Sequence, residues 1–184
     1  MGKNKWFYPI ESMFYEALEF HKIANWKIQI MPPDVKTNLN ALKKDEEKEW
    51  PFRTHNAKAV FVCYYCKRTW KSSFTTIVWR AQRSTSIVQL RIEKQGCQRC
   101  NRKCQGFLYD GEQAAFTLYW MCTWILDVFY GIRSEHTKKD DDDKSDEIDE
   151  SAAPHDYQRC EAGKKNICRK CNLHKQRRHS LHRN

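Results

Sequence analysis

With 184 residues the chain has room for one compact domain with tails or for two very small ones, and 40% hydrophobic content with 13% aromatics supports a dense but small core. Lys and Arg outnumber Asp and Glu by 33 to 23, a formal charge of +10 that favours nucleic acid, an anionic membrane surface or an acidic protein face without choosing among them. Nine cysteines, with no signal peptide opening the chain and no Asn-x-Ser/Thr sequon, argue against a secreted disulfide scaffold and for metal-binding thiolates in the cytoplasm.

In chain order, Ile10, Met13, Phe14, Ala17, Leu18 and His21 fall at helical spacing, and Trp26, Ile28 and Ile30 alternate as a short strand that Pro32-Pro33 stops. His21 on that apolar face reads as a packed histidine. After the charged stretch Lys43 to Lys48 and Trp50-Pro51-Phe52, Val60 to Tyr65 reads as a strand entering a cysteine pair. Segments 74–80 and 86–93 are strand-like, with Val88, Leu90 and Ile92 on one face and Gln89, Arg91 and Glu93 on the other, which predicts a small antiparallel sheet.

Ala114 to Tyr130 is the most apolar window and reads as a helix. Its uncharged run, Gln113 to Leu126, is 14 residues, short of the roughly 20 needed to cross a bilayer. Because it is apolar nearly all round, a packed core helix and a partner-binding helix both fit. From Asp140 to Glu150 eight of eleven residues are acidic, a self-repelling linker, and from Arg159 onward nine Lys and Arg face one acid, Glu161. The expected organisation is an N-terminal helix and strand region over 1–50, a zinc-binding core with its apolar helix over 51–131, an acidic disordered linker over 132–153, and a Cys/His closing segment with a basic tail over 154–184. The fold class is α+β: a small antiparallel sheet with zinc-binding knuckles and flanking helices.

Cys63-x-x-Cys66 and Cys97-x-x-Cys100 are two knuckles, each able to bring both sulfurs to one ion at about 2.3 Å. Thirty residues separate them, the length of two strands with their connections, so a sheet would bring the knuckles together. Four thiolates complete zinc's coordination and leave no position for a reacting water, which points away from catalysis. His155, Cys160, Cys168, Cys171 and His174 form a second candidate group, any four of which would close another ion. Cys122 reads as core, and Cys104 as a spare ligand or none. No phosphate loop, dinucleotide fingerprint, His-Glu-x-x-His, Gly-x-Ser-x-Gly or deaminase His-x-Glu occurs, so no enzyme and no small-molecule substrate are expected.

Phe61-Val62-Cys63-Tyr64-Tyr65-Cys66-Lys67-Arg68-Thr69-Trp70-Lys71-Ser72 resembles the opening of the 3CxxC zinc-finger domain of receptor-transporting proteins. Gln95-Gly96-Cys97-Gln98-Arg99-Cys100 is similar to its second knuckle. Pro154-His155-Asp156, Cys160-Glu161-Ala162 and Cys168 are similar to its closing segment, and Met13-Phe14-Tyr15-Glu16 and Glu49-Trp50 to its amino-terminal region. The resemblance implies zinc held by Cys63, Cys66, Cys97, Cys100, His155, Cys160 and Cys168, and with Cys171 from the third knuckle added these are the expected ligands of one or two ions. The family's closing CxxC begins at Cys160, but Gly163 stands where its second cysteine belongs, and Cys171 or His174 is the candidate substitute. The resemblance further implies an accessory factor that helps G-protein-coupled chemosensory receptors of olfactory or taste type reach the cell surface; several members carry a hydrophobic carboxy-terminal anchor where this sequence has Arg177-Arg178-His179, so action at membranes is expected to be peripheral or through the client. The alternative it implies is RNA binding, and the residues that suit it here are basic ones close to aromatics: Arg68, Arg80, Arg83, Arg91, Arg99 and Arg102 toward phosphates and Tyr64 or Tyr65 toward bases.

Overall fold

The computed structural model describes residues 7–23, 25–37, 49–108, 110–133 and 155–181. The proposed acidic linker at 140–150 and the charged stretch Lys43 to Lys48 lie outside these described residues. Helix α1 (Phe7–Phe20) and strand β1 (Lys27–Ile30) are followed by β2 (Phe52–Val62), β3 (Thr69–Gln82) and β4 (Ile87–Ile92). Two short strands, β5 (Gln95–Gly96) and β6 (Lys103–Cys104), lead to β7 (Gly106–Leu108) and helix α2 (Gly111–Tyr130), and a single helical turn α3 (Glu161–Lys164) precedes α4 (Arg169–Leu181).

The five-stranded sheet runs β1-β4-β3-β2-β7, and β5 pairs with β6 in a separate hairpin. Every pairing is antiparallel except β1 with β4, where Ile28 lies beside Val88. The strand predicted over 60–65 begins eight residues earlier and ends at Val62, because Cys63 already belongs to a turn. Between Ala57 and Ala59 the register of β2 on β3 slips, Ala57 facing Thr75 and Ala59 facing Ser72. This bulge divides β3. Its first half alternates between exposed and half-buried positions, whereas Thr75 to Gln82 is almost wholly buried.

Period-two alternation sends Ile77, Trp79 and Ala81 to one face of the sheet and Val78 to the other. On the first face α1 supplies Ile10, Phe14 and Leu18, and α2 supplies Leu118, Met121, Cys122 and Ile125, packed against Val88, Leu90 and Ile92. Helix α2 is delimited by its caps. Asp110 accepts from the Gln113 amide at 2.8 Å, and Gly131, at φ 67°, turns the chain so that the Ile132 amide bonds back to the Leu126 carbonyl. The indole N–H of Trp26 donates to the Tyr130 hydroxyl at 3.1 Å, tying the end of α2 to the start of β1.

The second face of the sheet is covered as well. Gln89 and Glu93, on the polar side of β4, are 8% and 3% exposed. Arg91 donates to the carbonyls of Pro32 and Val35, which holds the segment after β1 across this face. Glu93 takes a two-pronged contact from Lys165 at 2.6 and 2.9 Å, so the chain beyond residue 154 folds back onto the sheet. Met31 and Val78 pack there with Ala162, Ile167 and three cysteines, Cys160, Cys168 and Cys171. Leu90→Ala, at the centre of the first face, is expected to cost about 2–5 kcal/mol, read as a lower midpoint in urea unfolding of the zinc-loaded protein.

Candidate metal centres

Each knuckle is shaped by its backbone. The Cys63 amide bonds to the Arg68 carbonyl at 2.9 Å and the Lys67 amide to the Cys63 carbonyl at 2.8 Å; the Cys97 and Asn101 amides repeat the pattern on Arg102 and Cys97 at the same distances. Lys67 and Asn101 occupy equivalent places and both take left-handed backbone, φ 60° and 55°. The β5-β6 hairpin carries the second knuckle, and Gln95 holds that hairpin to β3. Its side-chain amide donates to Ser72 Oγ at 2.9 Å and accepts from the Trp70 indole at 3.2 Å.

The result is a cluster in which Cys63 and Cys100 sulfurs are 3.4 Å apart, Cys66 and Cys97 3.5 Å, and Cys66 and Cys100 3.9 Å. A tetrahedron with zinc–sulfur bonds near 2.3 Å has edges of about 3.8 Å, so these four fit the ion. Cys104 lies beside them but outside the set. It is 3% exposed, its sulfur 3.3 Å from the Arg102 carbonyl, and burial pushes its thiol up to about 11, which keeps it protonated.

The second cluster forms on the other face, where the closing segment meets β5. Gln95 bridges to Cys160, the Gly96 amide donates to the Arg159 carbonyl at 2.9 Å, and Cys160 begins α3. His155 Nε2 lies 3.3 Å from the Cys171 sulfur and 3.6 Å from that of Cys168. All four donor atoms of His155, Cys160, Cys168 and Cys171 fall within 4.8 Å of one another. Phe74 and Tyr157 meet the His155 ring edge-on and set its plane. His174, the fifth candidate, instead stacks on Tyr157 with ring centroids 4.0 Å apart.

The acidities of the thiols follow from this crowding. The Cys63 thiol is drawn down to about 6, chiefly by the Cys66 backbone amide. Cys168 is drawn down to about 3, first by a hydrogen bond from the Cys160 thiol, which is itself driven upward; burial lifts Cys171 to about 11. At the second cluster one sulfur, Cys168, takes the charge while Cys160 and Cys171 keep their protons. A divalent cation removes that restriction, converting the neighbours to thiolates and releasing protons, so acid opposes binding. Both donor sets accommodate zinc, one ion in each.

Gly163 explains how the second set is completed. The turn from Cys160 has a knuckle's bonds: the Lys164 amide meets the Cys160 carbonyl at 3.2 Å, and the Gly163 amide meets the Cys160 sulfur at 3.3 Å. A Cβ built on Gly163 would fall 2.4 Å from the Cys171 sulfur. The space a side chain at 163 requires is therefore occupied by the sulfur of Cys171, which enters from α4. The cysteine missing at 163 shows in the sequence, whereas the room its glycine leaves for the Cys171 sulfur does not, and the roles of Gln95 and of the Glu93–Lys165 pair correspond to no motif.

A family model described as a zinc-binding domain of the 3CxxC zinc-ribbon type matches residues 56–166, well over half of the chain. The match takes in the first cluster with His155 and Cys160 and stops before Cys168 and Cys171. Comparison with curated proteins and with solved structures finds no match.

Gly163→Ala is expected to abolish the second ion while leaving the first, seen as a fall from two zinc atoms per chain to one by elemental analysis. Gly163→Cys combined with Cys171→Ala is expected to keep both, since the sulfur is then supplied from the other side of the same space.

Proposed function

The chain belongs to the 3CxxC zinc-ribbon family of zinc-binding domains, and we propose that it is a non-enzymatic, chaperone-like adaptor that promotes surface expression of G-protein-coupled receptors of the olfactory or taste type. The observation that carries this reading is the pairing of two four-donor clusters, buried or half-buried and with no position left for a reacting water, with an apolar surface elsewhere on the same domain. On that surface Phe20 and Tyr15 of α1 are 79% and 44% exposed, and Phe116 of α2 is 50% exposed. Phe116, Trp120, Tyr119, His21 and Phe20 form a chain of ring contacts across the two helices. An aromatic ridge on a rigid support suits transient contact with apolar segments of a client. Among the described residues no helix is long and apolar enough to cross a membrane, which suits peripheral action on a membrane client.

The RNA-binding reading draws on a different place, a cleft of about 200 Å³ between the two clusters, where Arg68, Arg159 and Lys170 meet Trp70 and Phe74. Affinity for single-stranded RNA falling steeply between low and moderate salt would support it.

The test of the adaptor is co-expression with a panel of poorly exported seven-helix receptors, counting surface-labelled receptor at matched total expression. Intact protein is expected to raise the count for some receptors. Cys63→Ser is expected to lose that effect by unfolding the first cluster, and Phe20→Asp with Phe116→Asp to lose it with zinc content unchanged. No rise for any receptor overturns the reading.

A further inference from the structure

Zinc binding by the first knuckle makes no use of its two central side chains. Tyr64 and Tyr65 sit between Cys63 and Cys66 at the apex of the turn, 66% and 70% exposed. Backbone amides of Tyr65 and Cys66, not those rings, hold the Cys63 sulfur. Two adjacent aromatics left in water at a position open to polar residues call for a partner.

Cations surround them. Lys67 is exposed on the same knuckle, and Arg99 and Arg102 are exposed on the facing one. Arg102 lies over the Tyr65 ring at 4.6 Å, and Arg68 reaches across to Gln98 at 2.6 Å. Lys103 is held by Glu161, and Arg159 by Asp156. Between Trp50 and residue 109 the sequence holds one acid, Glu93, and it is buried against Lys165. The knuckles therefore present aromatic rings at a projecting apex with guanidinium and ammonium groups on its shoulders and no carboxylate of their own.

That arrangement suits a flat anionic surface. A tyrosine ring, apolar in body and polar at its tip, settles at the headgroup level of a bilayer, and each nearby Lys or Arg adds attraction to anionic lipid. Single-stranded nucleic acid is held instead along a groove, as the cleft between the clusters offers. We propose that the apex of the first knuckle is a membrane-docking tip, seating Tyr64 and Tyr65 among the headgroups of an anionic bilayer with Lys67, Arg68, Arg99 and Arg102 against the lipid charges. The purpose of such a tip rests on the adaptor reading, since it would hold the protein beside a membrane-embedded client; the binding itself does not.

The experiment is co-sedimentation of the full-length, zinc-loaded chain with vesicles of phosphatidylcholine alone or mixed with phosphatidylserine. Binding is expected only with phosphatidylserine. Arg99→Ala and Arg102→Ala are each expected to lower the partition coefficient about fivefold, and Tyr64→Ala with Tyr65→Ala at least as far, all with zinc content and circular dichroism unchanged. The proposal is overturned if the intact chain does not sediment. It is equally overturned if the tip variants sediment undiminished while Arg177→Ala with Arg178→Ala abolishes binding, or if tip changes weaken only retention of single-stranded RNA. Receptor counts are independent of this assay: a rise in surface receptor without vesicle binding keeps the adaptor and discards the tip, and vesicle binding without a rise does the reverse.

Discussion

Sulfur atoms held 3.4 to 3.9 Å apart at the first cluster cannot all carry charge in the absence of a cation. Two thiolates at that distance repel by about 4–5 kcal/mol even at an effective dielectric near 20. The knuckles are nevertheless drawn together by a hairpin, by Gln95 and by stacking of Phe61 on Trp70, so the chain builds a concentration of potential negative charge that a divalent ion neutralises. The same constraint returns at the second cluster with one imidazole in place of a sulfur, and the sheet's far end and the chain's return across it both depend on it.

Strand β5 is where the two centres become one unit. Gln95 touches Ser72 and Trp70 with its side chain, Cys104 across the hairpin, and Cys160 through a bridge on its other edge. Two residues of backbone thus link the knuckle that closes the first cluster to the turn that opens the second. The Glu93–Lys165 pair reinforces the join a few residues away, and with its carboxylate 3% exposed it is a contact whose breakage would strand a buried charge.

The surfaces left over are chemically distinct. Acidic Glu16 and Glu19 accompany the exposed aromatics of α1, whereas the knuckles present cations with tyrosines. Helix α2 packs Leu118, Met121, Cys122 and Ile125 into the core, while Phe116 and Val128 remain 50% and 44% exposed. A domain stapled by metal can leave such groups in water because its stability does not rest on burying every apolar side chain.

Local chemistry was legible in the residues themselves. The Cys63–Cys66 and Cys97–Cys100 spacings announced metal because a CxxC turn places two sulfurs on one ion whatever surrounds it; the α1 periodicity announced a helix because packing requires a stripe, and α2 showed as a long apolar window. The alternation of Val88, Leu90 and Ile92 likewise marked a strand with one apolar face, but not that its polar face is also covered, since Gln89, Arg91 and Glu93 look the same in sequence whether water or the returning chain meets them. Nor did spacing choose among His155, Cys160, Cys168, Cys171 and His174. That choice depended on the path by which α4 approaches the turn at Cys160, on Gly163 leaving room for the Cys171 sulfur, and on Tyr157 holding His174 aside. Residues near in sequence declare themselves by pattern; a donor set gathered from separate elements is decided by how the layers pack.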